Sequence, residues 1–188
     1  MAATSVAKTI GYYTVSEDER MGWTGGLLIL NSSGRPLEFQ CTLPVRPSKA
    51  HEILYGPTLR AHLIGEIIGE LLIKKARTPL TLLCCDQAEA LSLESIVDLP
   101  VVLVAEAAEP DEGPITEESL SGWQSVDFAG THFWAAMEHV ETVTEMAKTF
   151  GDIPDGVEPF DRIREAIKEA HSQIARQQTT PQSTSQVA

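Results

Sequence analysis

The sequence predicts an α/β fold: a mixed sheet of about five strands, an antiparallel three-strand meander followed by parallel strands, with a long packed helix and C-terminal helices. Three observations carry this. Leu27–Leu30, Leu80–Cys85 and Val101–Ala105 are continuous apolar runs, as in strands buried on both faces. Leu37, Phe39, Cys41 and Leu43 alternate with Glu38, Gln40 and Thr42, the period of a half-buried antiparallel strand. Leu59, Leu63, Ile64, Ile67, Ile68, Leu71 and Leu72 recur at helical spacing as a wide apolar stripe.

In chain order, Thr9–Val15 reads as a strand rich in β-branched and aromatic residues, and Glu17–Gly22 as a charged loop. Gly25–Asn31 reads as a central strand, and Asn31-Ser32-Ser33-Gly34 as a turn. Leu37–Leu43 completes the meander, which Pro44 and Pro47 end because proline donates no ladder hydrogen bond. Ser48 can cap a short helix to Tyr55. The main helix should run from about Thr58 to Lys75, with Lys74, Lys75 and Arg77 at its carbonyl end and Pro79 beyond it. Leu80–Cys85 and Pro100–Glu106 follow as strands, with a short helix at Ala88–Ile96 between them, which implies parallel pairing. Ala107–Ser121 reads as an acidic linker, Trp123–Phe128 as a short strand and Phe133–Phe150 as a helix broken by Gly151–Gly156. A last helix starts near Pro159, a residue suited to the first helical position. This divides the chain into an α/β domain over 1–110, an acidic linker and helical region over 111–176, and a polar, disordered tail over 177–188.

The formal charge of the chain is -13, and no lysine or arginine lies between Arg77 and Lys148. A polynucleotide surface needs cations to displace phosphate counterions, so composition speaks against nucleic acid and anionic membranes. Cys41, Cys84 and Cys85 have no CxxC or Cys/His spacing, which excludes a zinc finger and fits reduced cytosolic thiols. Met1–Lys8 lacks an apolar signal core, and the apolar runs are too short to span a bilayer. The expected localisation is cytoplasmic.

His62, Glu66 and Glu70 lie four residues apart on one side of the main helix. With Asp86 at the end of the next strand they form a candidate divalent-metal set; the alternative is a solvated face in which Glu70 pairs with Lys74. Ala61, Gly65 and Gly69 form a small-residue row that invites close backbone approach. His132 and His139 lie about one heptad apart and read as structural or surface residues. Phe160, Ile163, Ile167, Ala170 and Ile174 make a narrow, heptad-like seam, which either covers the sheet of its own chain or is a candidate interaction face for a partner or a second copy.

Over Thr9 to Glu106 the order of a meander, a long helix and parallel strands resembles the ribonuclease H-like superfamily. The resemblance implies a metal-binding carboxylate on the first strand, one on the main helix and one ending the fourth strand. The last two match Glu66 or Glu70 and Asp86 as candidate catalytic residues. The first strand, Ile10-Gly11-Tyr12-Tyr13-Thr14-Val15, carries no acid; Glu17 and Asp18 lie just beyond it.

Without a complete catalytic set, the expected function is a non-catalytic interaction or assembly subunit of a cytoplasmic complex, with a protein partner or self-association, no cofactor and no nucleic acid. The alternative is a divalent-metal-dependent hydrolase or nuclease using Mg or Mn on Glu66, Glu70 and Asp86. Ligand binding above the parallel strand ends near Asp86 is a further reading.

Overall fold

The computed structural model describes residues 8–109, 115 and 120–179. Its core is one sheet of seven strands in the order β3-β2-β1-β4-β5-β7-β6. Strands β1 (Thr9–Asp18), β2 (Gly22–Asn31) and β3 (Pro36–Cys41) form the expected antiparallel meander. Strands β4 (Leu82–Cys85) and β5 (Val101–Val104) join it in parallel, β4 beside β1 and β5 beside β4. These pairings need crossovers, which the helical segments between the strands supply.

The sheet has seven strands rather than five because β6 (Trp123–Phe128) and β7 (Thr131–Ala136) add a hairpin to β5. The sequence reading had put Phe133–Ala136 in a helix. Instead Thr131, Phe133 and Ala135 are buried in alternation, a strand period. Ala129 and Gly130 both adopt positive φ, as a two-residue hairpin turn demands. The helix α4 therefore begins only at Val140 and ends at Thr149. Strands on both sides of the expected boundary at residue 110 thus belong to one sheet.

Short helix α1 (Lys49–Tyr55) starts where expected, with the Ser48 side chain accepting from the His51 N–H. The long helix forms end to end from α2 (Leu59–Ala61), a π-helical stretch (His62–Gly69) and α3 (Glu70–Lys75). π-Helical geometry changes which carbonyls are bonded within the helix. The Ile64 carbonyl there accepts from the buried Tyr13 hydroxyl at 2.5 Å. The Gly65 and Gly69 row meets the 3₁₀ segment Ala88–Ser95, the short helix expected there: a Cβ on Gly65 would lie 2.1 Å from Ser92 Oγ.

C-terminal helix α5 spans Glu158–Thr179 and covers the opposite face of the sheet. It enters the segment expected to be disordered by three residues, and 180–188 lie outside the described residues. Most of the acidic linker, 110–114 and 116–119, also lies outside them. Gly25 and Gly26 of β2 explain how helices approach both faces. A Cβ on Gly25 would sit 2.1 Å from Ile68, and one on Gly26 would sit 2.3 Å from Ile163. The result is two apolar layers, one under the long helix and one under α4 and α5.

Strand β3 departs from its expected facing. Leu37 and Phe39 are 48% and 40% exposed, while Glu38 and Gln40 are half-buried. As the sheet edge, β3 uses Glu38 to accept from the N–H groups of Arg77 and Thr78, which follow α3. Among the described residues no helix is long and apolar enough to cross a membrane.

Candidate functional site

Asp86 directly follows β4, near the carboxyl ends of the central parallel strands. It is 1% exposed. Gln87 fixes its place: the Gln87 amide accepts from Val15 N–H at 3.0 Å and donates to Val15 C=O at 2.9 Å. That side chain mimics a further rung of the β1–β4 ladder where the strand itself has ended. The Thr14 hydroxyl of β1 donates to Asp86 Oδ2 at 2.8 Å.

The cation facing Asp86 comes from α5. Arg164, only 11% exposed, ion-pairs with Asp86 Oδ2. Its guanidinium also meets Asp161 Oδ1 at 3.0 Å, Glu109 Oε1 at 3.7 Å and the Ala107 carbonyl at 2.6 Å. Three carboxylates and a carbonyl therefore surround one positive charge. Oxygen donors of this kind are also those that hard divalent cations take. The oxygens are spaced for a planar group: among the described residues, no three carboxylates at this place bring ligand atoms within 4.8 Å of one another. Asp161 and Glu109 are exposed side chains, so they are the members able to move.

The other residues of the expected metal set lie elsewhere. His62 Nδ1 pairs with Glu66 Oε2 at 2.7 Å, and Glu70 pairs with Lys74. His62 also stacks on Tyr55 and borders an apolar cavity of about 140 Å³. The long helix packs on the face carrying Leu83 and Cys85, whereas Cys84 and the α5 seam lie on the other. Side chains alternate along a strand, so Asp86 follows Cys84 to the α5 side. That is why Asp86 meets Arg164 and does not join a cluster with His62, Glu66 and Glu70. Strand β1 runs on through Glu17 and Asp18. Asp18 Oδ1 accepts from Met21 N–H at 2.7 Å and Arg20 N–H at 2.8 Å, which lowers its pKa and commits it to the β1–β2 turn. Thr14, not an acid, occupies the β1 position beside Asp86.

The expected interaction seam is core. Phe160, Ile163 and Ile167 are buried against the sheet of their own chain, and Ala170 and Ile174 are half-buried. Phe160 packs edge-on to Tyr12 at 5.2 Å. Sequence reasoning missed Arg164, although it lies in the seam helix; its role depends on which face of α5 meets β4. It also missed the proximity of Glu94 to His139.

No family model matches the chain, and no curated protein matches it. Among solved structures, the chain is similar to a variant of Ciona intestinalis endonuclease V in complex with a 23mer DNA containing an inosine followed by a ribo-adenosine. That match has a TM-score of 0.45 and 14% identity, over 89% of this chain and 88% of that one. Human ENDOV matches with the same TM-score and identity, over 91% of this chain and 89% of that one. Ciona intestinalis endonuclease V with a 24mer DNA gives 0.45 and 13%, over 89% of both chains. Such identity supports no residue-by-residue transfer.

One finding corrects the expected assembly subunit: its seam is spent inside the chain. The expectations of no nucleic acid and no cofactor, which rested on that reading, are set aside with it.

Proposed function

We propose that the chain is a divalent-cation-dependent phosphoester hydrolase, with nucleic acid as its substrate class and its centre at the ends of β1 and β4. The observation that carries this reading is Asp86: a buried carboxylate at the end of a central parallel strand, in a ring of oxygens already holding a positive charge. Asp86, Asp161 and Glu109 would hold the ion, with Mg or Mn favoured by an all-oxygen donor set. When bound, such an ion neutralises phosphoryl oxygens and activates water.

The chain's own residues do the rest. Gln87 locks the strand ends in register, and Thr14 orients the Asp86 carboxylate through its hydroxyl. Arg164 is a tethered internal cation that keeps Asp86 neutralised, and its headgroup would have to withdraw for these oxygens to hold an ion. Released toward solvent, the guanidinium can pair with a phosphate through its planar fork. The net charge of -13 favours a reading with an ion, because carboxylates repel a phosphate backbone.

The test is cleavage of labelled single- and double-stranded oligonucleotides by the full chain in Mg²⁺, Mn²⁺ or EDTA. Cleavage that needs the metal, and that falls at least about tenfold in Asp161→Asn and in Asp86→Asn, is the expected result. Asp161 is 66% exposed, so its variant should fold normally. Absence of metal-dependent cleavage on every substrate, or full activity in both variants, overturns the proposal.

A further inference from the structure

Away from the strand-end centre, Glu94, Glu138 and His139 form the one group of three potential metal ligands that converges among the described residues. Glu94 comes from the 3₁₀ segment Ala88–Ser95 that links β4 to β5. Glu138 and His139 come from the 3₁₀ turn Met137–His139 between β7 and α4. One ligand atom from each lies within 4.8 Å of the others. His139 Nε2 is 3.4 Å from Glu94 Oε1 and 3.7 Å from Glu138 Oε1. Ligand atoms at about 2.1 Å from a tetrahedral zinc stand about 3.4 Å apart, close to the separations of His139 Nε2 from the two carboxylates.

The burial of these groups points the same way. Glu94 Oε1 is itself buried and finds no hydrogen-bond donor among the described residues. Two carboxylates on one imidazole leave a local excess of negative charge for a cation to relieve. Glu138 is 78% exposed, which gives an ion a path from solvent and a side open to water.

We propose that Glu94, Glu138 and His139 bind a divalent cation of the zinc class, through one imidazole nitrogen and two carboxylate oxygens. The mixed N/O donor set favours zinc over magnesium, which separates this site from the all-oxygen ring at Asp86. The ion staples the β4–β5 connection to the end of the β6–β7 hairpin, two segments otherwise joined through the sheet. The site is independent of the proposed hydrolase activity.

Titration of the full chain with Co²⁺ by visible absorption, and with Zn²⁺ by calorimetry, tests this. One equivalent with a tetrahedral cobalt spectrum is expected. His139→Ala and Glu138→Gln should each weaken binding at least about tenfold. His62→Ala should leave it unchanged, since His62 lies on the long helix beside Glu66 and Tyr55, away from this cluster. Glu138 is exposed, so its variant keeps the test informative if His139→Ala fails to fold. Failure of the wild type to bind either ion, or unchanged binding in Glu138→Gln and His139→Ala, overturns the proposal.

Discussion

Substituting Arg164 by methionine should be among the most damaging single changes on α5, and its cost follows from the burial of its partner. Asp86 is 1% exposed and Arg164 11%. Methionine retains much of the apolar stem but leaves the Asp86 carboxylate without its cation. Breaking a buried pair from one side costs about 3–5 kcal/mol, because a charge stays in a poorly solvated place. The contact to Asp161 adds little, since that side chain is 66% exposed and exposed pairs are worth at most about 1 kcal/mol. Removing both charges as Asp86→Asn/Arg164→Met should recover most of the loss, because Asn keeps an oxygen for the Thr14 hydroxyl. Urea denaturation at pH 7 of the four proteins measures the cycle. A loss below about 1 kcal/mol in the single variant, or a double variant as unstable as the single, would refute the buried-charge argument. Millimolar Mg²⁺ provides a second reading. If the oxygens accept an ion once the guanidinium is gone, Mg²⁺ should stabilise Arg164→Met but not the double variant. The gain is about 2.7 kcal/mol at 100 times the dissociation constant.

Other consequences are as direct. Phe160→Ala should cost about 3–5 kcal/mol in chemical denaturation while leaving the monomer–oligomer balance unchanged in sedimentation, since Phe160 is wholly buried in its own chain. Gly25→Ala should destabilise by about 1–3 kcal/mol, because the new methyl would lie 2.1 Å from Ile68; Ile68→Val in the same background should recover part of it. Burial raises the Glu38 carboxyl, but donors from Arg77, Thr78 and Gln40 outweigh it and bring its pKa to about 2, from 4.5. A carboxylate depressed on folding contributes stability that is present above pH 4.5 and lost as pH falls toward 2. Acid titration of stability should therefore be shallower across that window in Glu38→Gln. Of the three cysteines, Cys41 is exposed, while burial raises the Cys84 and Cys85 thiols well above the ordinary range. A thiol reagent should titrate one cysteine in native protein and three in denaturant; fast reaction of a second thiol would contradict the packing of β4.

Much of the architecture was legible in the chain because it rests on local periodicity. The meander, the long helix and the two parallel strands follow from runs and spacings that admit few other structures. The Ser48 cap and the break before Pro159 were equally local. The β7 strand was not, because Phe133 and Met137 fit both a helical and an alternating reading over so short a span. Burial on both sides of the hairpin decided between them. The facing of β3 was misread for a related reason: alternation tells which residues share a face but not whether a layer covers it. Helix α5 covers β1 and β2, and Leu37 and Phe39 stay exposed at the edge.

The candidate residues divide along the same line. From sequence alone, Asp86 could be placed at the end of an apolar strand, and His62, Glu66 and Glu70 on one side of a helix. Composition shows a strongly acidic chain, which disfavours direct contact with phosphate. Tertiary structure alone decided which acids share a centre. Strand alternation turns Asp86 toward α5 and away from the long helix, so Arg164, 78 positions later, becomes its partner. Packing of the β4–β5 connection against the end of β7 brings Glu94 to His139. Neither meeting is encoded in spacing, because long-range contacts depend on which faces the sheet buries, and that is settled only when both layers close over it.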